Sequence, residues 1–166
     1  MRLYDIYLCR IDNTNMKKDI FSDKFQLLDI ATADMAFEAF GENLNELFEN
    51  AALAMFEVMT DTKAVQPKIK KIIRVKSEDL KALLFDFLSE ALFLKDSEYL
   101  VFSKYKVAIK ELPQKKGYEL EAELWGEVWD RNRHEIRTEV KAMTYSEMEI
   151  EQQKNGKWRA QVVLDT

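Results

Sequence analysis

From Tyr118 onward the chain sets its apolar residues on every second position. Tyr118, Leu120, Ala122, Leu124 and Val128 alternate with Glu119, Glu121, Glu123 and Glu127. A period of two sends one set toward a core and the other into water, so this run reads as a strand with one solvated face. Val140, Ala142, Met148 and Ile150 continue the pattern on even positions, followed by Trp158, Ala160, Val162 and Leu164. Asn155-Gly156 between the last two runs predicts a type I′ hairpin, because both residues tolerate positive φ. Pro113 to Gly117 marks a second, looser hairpin. Residues 98–110 alternate in two registers, Leu100 and Phe102, then Tyr105, Val107 and Ile109, which predicts a bulge near Ser103 and Lys104.

The preceding half keeps a different period. Leu44, Leu47, Phe48, Ala51, Met55, Val58 and Met59 recur at threes and fours, one apolar stripe of a helix. Asn43 with Glu46 three residues on supplies a capping-box-like start. A second helix is expected to open at Ser77 and to carry Leu80, Leu83, Leu84, Phe87, Leu88, Ala91 and Leu94 on one side. Between the helices, Pro67 precedes a strand whose odd positions Ile69, Ile73 and Val75 face one way. Only 4 Gly and 2 Pro occur in 166 residues, so long regular elements and few tight loops follow. The expected fold is α+β: two amphipathic helices packed on a largely antiparallel β-sheet in a single compact domain over residues 23–166. Residues 1–22, in which Tyr4, Ile6 and Leu8 alternate weakly, are expected to be a loose extension or else an edge strand for a partner. Met16 is a candidate alternative translation start.

Composition narrows the chemistry. With one Cys and one His in the whole chain, neither a disulfide framework nor a thiolate or two-His zinc site can be built. Four scattered glycines offer no phosphate-cradling loop. Oxygen ligands remain, so any bound metal should be a hard cation. A net charge of 25 − 30 = −5 argues against broad electrostatic binding of nucleic acid. No apolar run approaches the roughly 20 residues of a membrane span, and the charged start is unlike a secretory signal. A cytoplasmic location is the expectation.

Several residues stand out against that background. Asp34 interrupts the strand-like stretch DIATADMAFEAFG with no charge beside it, and a carboxylate near a packed sheet needs partners. Asp165 follows the apolar run VVL, and Thr166 adds the terminal carboxylate. If the last strand lay beside Asp34, three oxygen-bearing groups would converge on a Ca²⁺- or Mg²⁺-like ion. A terminal Asp is equally read as solvated. His134 lies in the charged stretch RNRHEI and is expected to be exposed, as a surface or partner contact rather than a catalyst. Arg131, Arg133 and Arg137 around it form a compact basic cluster, suited to a phosphate or an acidic partner and equally read as solvated loop charge. The Glu row is expected on a solvated sheet face, and Met35, Met55, Met59, Met143 and Met148 in the core.

The strings TADMAFEAFG, ENLNELFENAALAMFEVMTD, SEYLVFSKYKV, RHEIRTEVKAMTYSEM and GKWRAQVVLDT together resemble the archease family, over roughly residues 25–166. That resemblance implies a small cytosolic protein cofactor of the RtcB-type RNA ligase, promoting its guanylylation and multiple turnover in tRNA splicing without being a ligase itself. It also implies a metal, with Ca²⁺ preferred over Mg²⁺ or Mn²⁺, held by the Asp of the TAD motif, the last Asp and the final residue. These positions are Asp34, Asp165 and Thr166. Glu139 and Lys141 of the EVKA segment are carried over as partner contacts, with His134 beside them. The family's HTAD and TYH motifs are altered, with Ala31 before Thr32 and Ser146 after Tyr145, so two imidazoles are replaced. Asp29 or Ser146 could supply hydrogen bonds in their stead. The alternative reading is a metal-independent, chaperone-like module for a tRNA-modifying enzyme. A hydrolase in its own right would lack a His base and would have to use Lys141 or Tyr145.

Overall fold

The two helical stripes and the alternating runs become ten elements in the computed structural model, which describes residues 22–29 and 35–166. They are β1 (Phe25–Asp29), β2 (Met35–Gly41), α1 (Leu44–Met59), β3 (Ile69–Ser77), α2 (Leu80–Glu98), β4 (Leu100–Glu111), β5 (Tyr118–Val128), β6 (Ala142–Met143), β7 (Glu149–Gln152) and β8 (Trp158–Asp165). The reading of residues 1–21 as an extension, and Asp34 itself, lie outside the described residues.

The single expected sheet is two sheets. One runs β1-β2-β8-β6 with β7 also on β8, the other β3-β5-β4, and every pairing is antiparallel. Both helices pack into one core with both sheets, so the α+β class holds. Phe37, Phe48, Phe56, Phe87 and Phe102 are fully buried there, and burying each such ring stabilises the fold by about 2–3 kcal/mol. Of the expected core methionines, Met55, Met59, Met143 and Met148 are buried with them, and Met35 is half-buried against the core.

Local rules explain the helix starts. Asn43 Oδ1 accepts from Glu46 N–H at 2.9 Å, as its position before the stripe predicts. The second cap is not Ser77, which ends β3 and donates its hydroxyl to Asp86 Oδ2 at 2.5 Å. Asp79 caps α2 instead, accepting from Ala82 N–H at 2.8 Å. Helix α1 also serves the outer strand β4, where Asn45 and Glu49, one turn apart, accept from Ile109 N–H and Val107 N–H at 2.9 Å each. An edge whose donors are taken by a helix is not a template for another chain.

The expected bulge falls between Phe102 and Lys104. Opposite it, Gly126 comes so close to β4 that a Cβ would lie 1.8 Å from the Val101 carbonyl oxygen. The last hairpin forms at Asn155-Gly156, but only Gly156 has positive φ, at 85°. Gly156 N–H donates to the Gln153 carbonyl and Gln153 N–H to Lys157, a type I turn closed by a left-handed glycine rather than type I′. The even-position pattern also slips at β6: Met143 pairs with inward-facing Leu164 and is buried, leaving Ala142 exposed.

Candidate functional site

Strand β8 is the centre of its sheet, and its last residues carry the candidate site. Met35, the residue after Asp34, pairs with Leu164, the residue before Asp165. On the other flank Ala142 pairs with Asp165, and Lys141 N–H donates to the Asp165 carbonyl at 2.8 Å. Antiparallel register therefore brings three chain segments to one end of the sheet: the start of β2, the end of β8 and residues 139–143. Asp165 is exposed there and Thr166 half-buried, while Glu139 and Lys141 are exposed on either side of buried Val140. Among the described residues no three His, Cys, Asp or Glu are grouped to hold a metal ion. Asp34 lies outside them, as does the side chain of Asp29.

Segment 130–141 reaches this end because its other half is locked elsewhere. Arg137 and Thr138 donate their N–H groups to the Met59 and Val58 carbonyls at 3.0 and 3.1 Å, and Arg137 Nη1 reaches the Glu57 carbonyl at 2.9 Å. These are carbonyls at the end of α1, which lack helical partners and favour a cation. The same guanidinium pairs with Glu57 at 2.7 Å and Glu135 at 2.8 Å, and Thr60 Oγ1 donates to the Glu135 carbonyl.

His134 corrects the expectation of an exposed partner contact, since it is 3% exposed. Its Nδ1 accepts from Asp130 N–H at 2.9 Å, which places the proton on Nε2, where it is donated to Glu127 at 2.8 Å. Glu127 was expected on the solvated row with Glu119, Glu121 and Glu123. Those three do face water and pair with Lys110 and Lys76, Arg74, and Lys70. Glu127 is instead buried beneath the 130–134 turn, accepting also from Arg133 and from Gln66 N–H at 2.9 Å. Burial raises its pKa, but the hydrogen bonds from Arg133, Gln66 and His134 outweigh that and hold it at about 2. All three arginines read as a ligand cluster are exposed, but Arg133 and Arg137 are paired with carboxylates of the fold, Glu127 and Glu57.

One feature beside the site was not singled out in the sequence. A cleft of about 220 Å³ lies between α2 and β6, lined by Phe85, Ser89, Phe93, Asp96, Lys141 and Met143, among others. Tyr145 stands edge-on to Phe85 at 5.3 Å, with Lys81 Nζ 4.5 Å from its ring centre. Ser146, at the altered family position, is exposed on the same 3₁₀ turn, Tyr145–Glu147. The cleft was legible as a second helical stripe, since residues 85, 89, 92, 93 and 96 share one face of α2.

The family model described as the archease protein family (MTH1598/TM1083) matches residues 25–166. The chain belongs to the archease family. Its relatives include the protein archease of Sulfurisphaera tokodaii, 50% identical over 124 residues, 75% of this chain and 86% of the relative. That of Methanothermobacter thermautotrophicus is 46% identical over 141 residues, covering 85% and 97%. The solution structure of Methanobacterium thermoautotrophicum protein 1598 superposes with a TM-score of 0.76 at 45% identity, covering 87% of this chain and all of that one. The α+β architecture of the archease domain is therefore shared with a solved structure. Among the described residues no helix is long and apolar enough to cross a membrane.

Proposed function

We propose that this archease-family protein is a cytoplasmic, metal-binding activator of an RtcB-type RNA ligase, acting by transient protein contact rather than as a catalyst. The supporting observation is the register of β8, with Leu164 opposite Met35 and Asp165 opposite Ala142. It sets Asp165 and Thr166 close to Met35, which follows Asp34 in the sequence. Asp34, Asp165 and Thr166 together offer only oxygen donors, a set that suits Ca²⁺ and admits Mg²⁺ or Mn²⁺. Such an ion would supply Lewis-acid charge to phosphate oxygens in the partner's nucleotide pocket. Glu139 and Lys141 flank the same end, where a cation and an anion could orient the partner surface. Direct, stable binding of RNA is not part of the proposal, given the −5 net charge.

The test is Asp34→Ala and Asp165→Ala in a guanylylation assay with the cognate ligase. Both folded variants should lose stimulation, and full stimulation by both would remove the metal role. A second reading, a metal-independent chaperone-like module for a tRNA-modifying enzyme, is favoured by the cleft between Phe85, Phe93 and Lys141 and by Ser146 at a family histidine position. Calorimetric titration with Ca²⁺, Mg²⁺ and Mn²⁺ separates the two, because heat from none of them would favour the module.

A further inference from the structure

The three-stranded sheet turns one face to the core, and its other face stands in water. Antiparallel register puts each outward residue of β5 between one from β3 and one from β4. Lys76 and Lys110 flank Glu119, and Lys70 and Lys104 flank Trp125. Between those rows Arg74 lies beside Glu121, and Lys106 beside Glu123. The outward side chains of β3 and β4 are all exposed, Ile72 at 46% among them. The face therefore holds six cations against three carboxylates, a local 6 − 3 = +3. The whole chain carries −5, so the remainder carries −5 − 3 = −8. Positive charge is segregated onto this one face of an acidic protein.

The carboxylates are already taken. Glu119 pairs with Lys76 and Lys110 at 3.4 and 3.0 Å, Glu121 with Arg74 at 2.8 Å, and Glu123 with Lys70 at 2.6 Å. Among the described residues Lys104 and Lys106 form no ion pair, so their charge is available to an outside anion. Trp125 supplies the second feature. Of the three tryptophans, Trp129 and Trp158 pack against the core and Trp125 does not. Lys104 and Lys70 instead rest over its indole, 4.8 and 5.5 Å from the ring centre. An ammonium over an exposed ring is held weakly. It can leave for a phosphate while a base takes its place on the indole. Cations on both sides of an aromatic ring suit a chain that alternates phosphate charge with flat bases. An acidic polypeptide would give the indole no role. An anionic bilayer would require apolar side chains to insert, and Ile72 is the one large aliphatic group on the face.

We propose that the outer face of the three-stranded sheet binds single-stranded nucleic acid, with a base stacked on Trp125 and the neighbouring phosphates held by Lys104 and Lys106. The binding is weak and salt-sensitive, because only the surplus cations contribute to it. Net charge argues against attraction over the whole surface, not against one face on which the cations are gathered. The inference is independent of the metal and of the ligase contact, and its test uses neither.

Fluorescence anisotropy of the full chain with a fluorescein-labelled oligoadenylate of about 10 nucleotides provides the test. Two or three neutralised phosphates, at a slope of about −0.7 each, predict an affinity that falls roughly ten-fold from about 50 to about 200 mM salt. Lys104→Glu combined with Lys106→Glu should weaken binding by about ten-fold or more. Lys24→Glu combined with Lys154→Glu makes the same change in net charge at exposed positions outside this sheet and should leave binding nearly unchanged. Trp125→Ala should weaken it by about five-fold or more, and Trp125→Phe should restore most of the loss. In ¹⁵N spectra of the unaltered chain, the oligonucleotide should move the Trp125 indole N–H signal and leave that of Trp158 in place. Absence of binding at about 50 mM salt overturns the proposal. So does equal weakening by the two charge reversals, since the attraction would then belong to net charge alone. Displacement by polyglutamate of matched charge would assign the face to an acidic protein, and tighter binding of a duplex would remove the role of Trp125. Either result also overturns the proposal.

Discussion

Replacing Glu127 by Gln tests whether a buried carboxylate holds the segment that leads to Glu139 and Lys141. The carboxylate has a side chain 7% exposed and serves Arg133, Gln66 N–H and His134 at once. Its folded pKa of about 2 lies roughly 2 units below the unperturbed 4.3, equivalent to about 3 kcal/mol of stability. The folded value is the lower one, so the unfolded chain takes up the proton first. The contribution is complete above about pH 5 and is lost as the pH falls toward 2, with roughly half remaining at pH 3. Gln keeps one acceptor oxygen but turns an NH₂ toward donors and removes the anion. Arg133 has a side chain 41% exposed and can return to water, so the loss should not exceed that 3 kcal/mol. Glu127→Gln should therefore cost about 3 kcal/mol at pH 7 and about half of that at pH 3. Urea unfolding followed by tryptophan fluorescence would show this as a midpoint lowered by about 1–3 M at neutral pH. Amide exchange should also quicken across residues 130–139. An equal midpoint loss at both pH values, or none at pH 7, would refute the electrostatic account.

Two further substitutions probe the frame. Gly126→Ala should cost about 3 kcal/mol or more, because the new Cβ meets the Val101 backbone rather than a movable side chain; thermal unfolding would check it, and a neutral result would contradict the close approach. Asn43→Ala should cost about 1 kcal/mol by removing the acceptor for Glu46 N–H, read as a small midpoint shift in urea with unchanged slope.

The elements were legible wherever burial followed a single period. The α1 stripe, its Asn43 cap, the β5 alternation as far as Trp125 and the bulge by Ser103 all follow from side-chain spacing, which depends on local geometry alone. The misreadings share a different cause. Glu127 continues a solvated row in sequence and is buried only because the 130–134 turn folds over it, a tertiary event without a local signature. His134 looked like a surface group because the burial that its bond to Glu127, 7 residues away, brings has no local signal. Exposed Arg137 gives no sequence sign of its bond to Glu57, 80 residues away. Ser77 and Asp79 are both competent caps by type, and the choice between them rests on where β3 ends. For the candidate site, the terminal position of Asp165 and the TAD string could be read directly. Their relation depends on β2 and β8 being neighbours, which no pattern in either strand encodes.

The arrangement of ionic groups separates what builds this archease domain from what it can present to a partner. Glu127, His134 and Glu57 are buried and satisfied by partners within the fold, among them the exposed Arg133 and Arg137, so removing one of these carboxylates leaves its partners without the bonds they were folded around. The two clusters lie at the end of α1 and the far end of β5, and both fasten the same stretch, residues 130–138. Beyond that fastening the character of the chain changes. Glu139, Lys141 and Asp165 are exposed around one strand end, with half-buried Thr166 beside them. A loop pinned at two ionic clusters and then paired to β8 through Lys141 N–H has little freedom in where it sets these charges. Preorganised charge at the end of a central strand costs less ordering on association than charge on a free loop. On the proposed reading, loosening the clusters at Glu127 and Glu57, which touch no proposed partner, should therefore weaken binding at the Asp165 end.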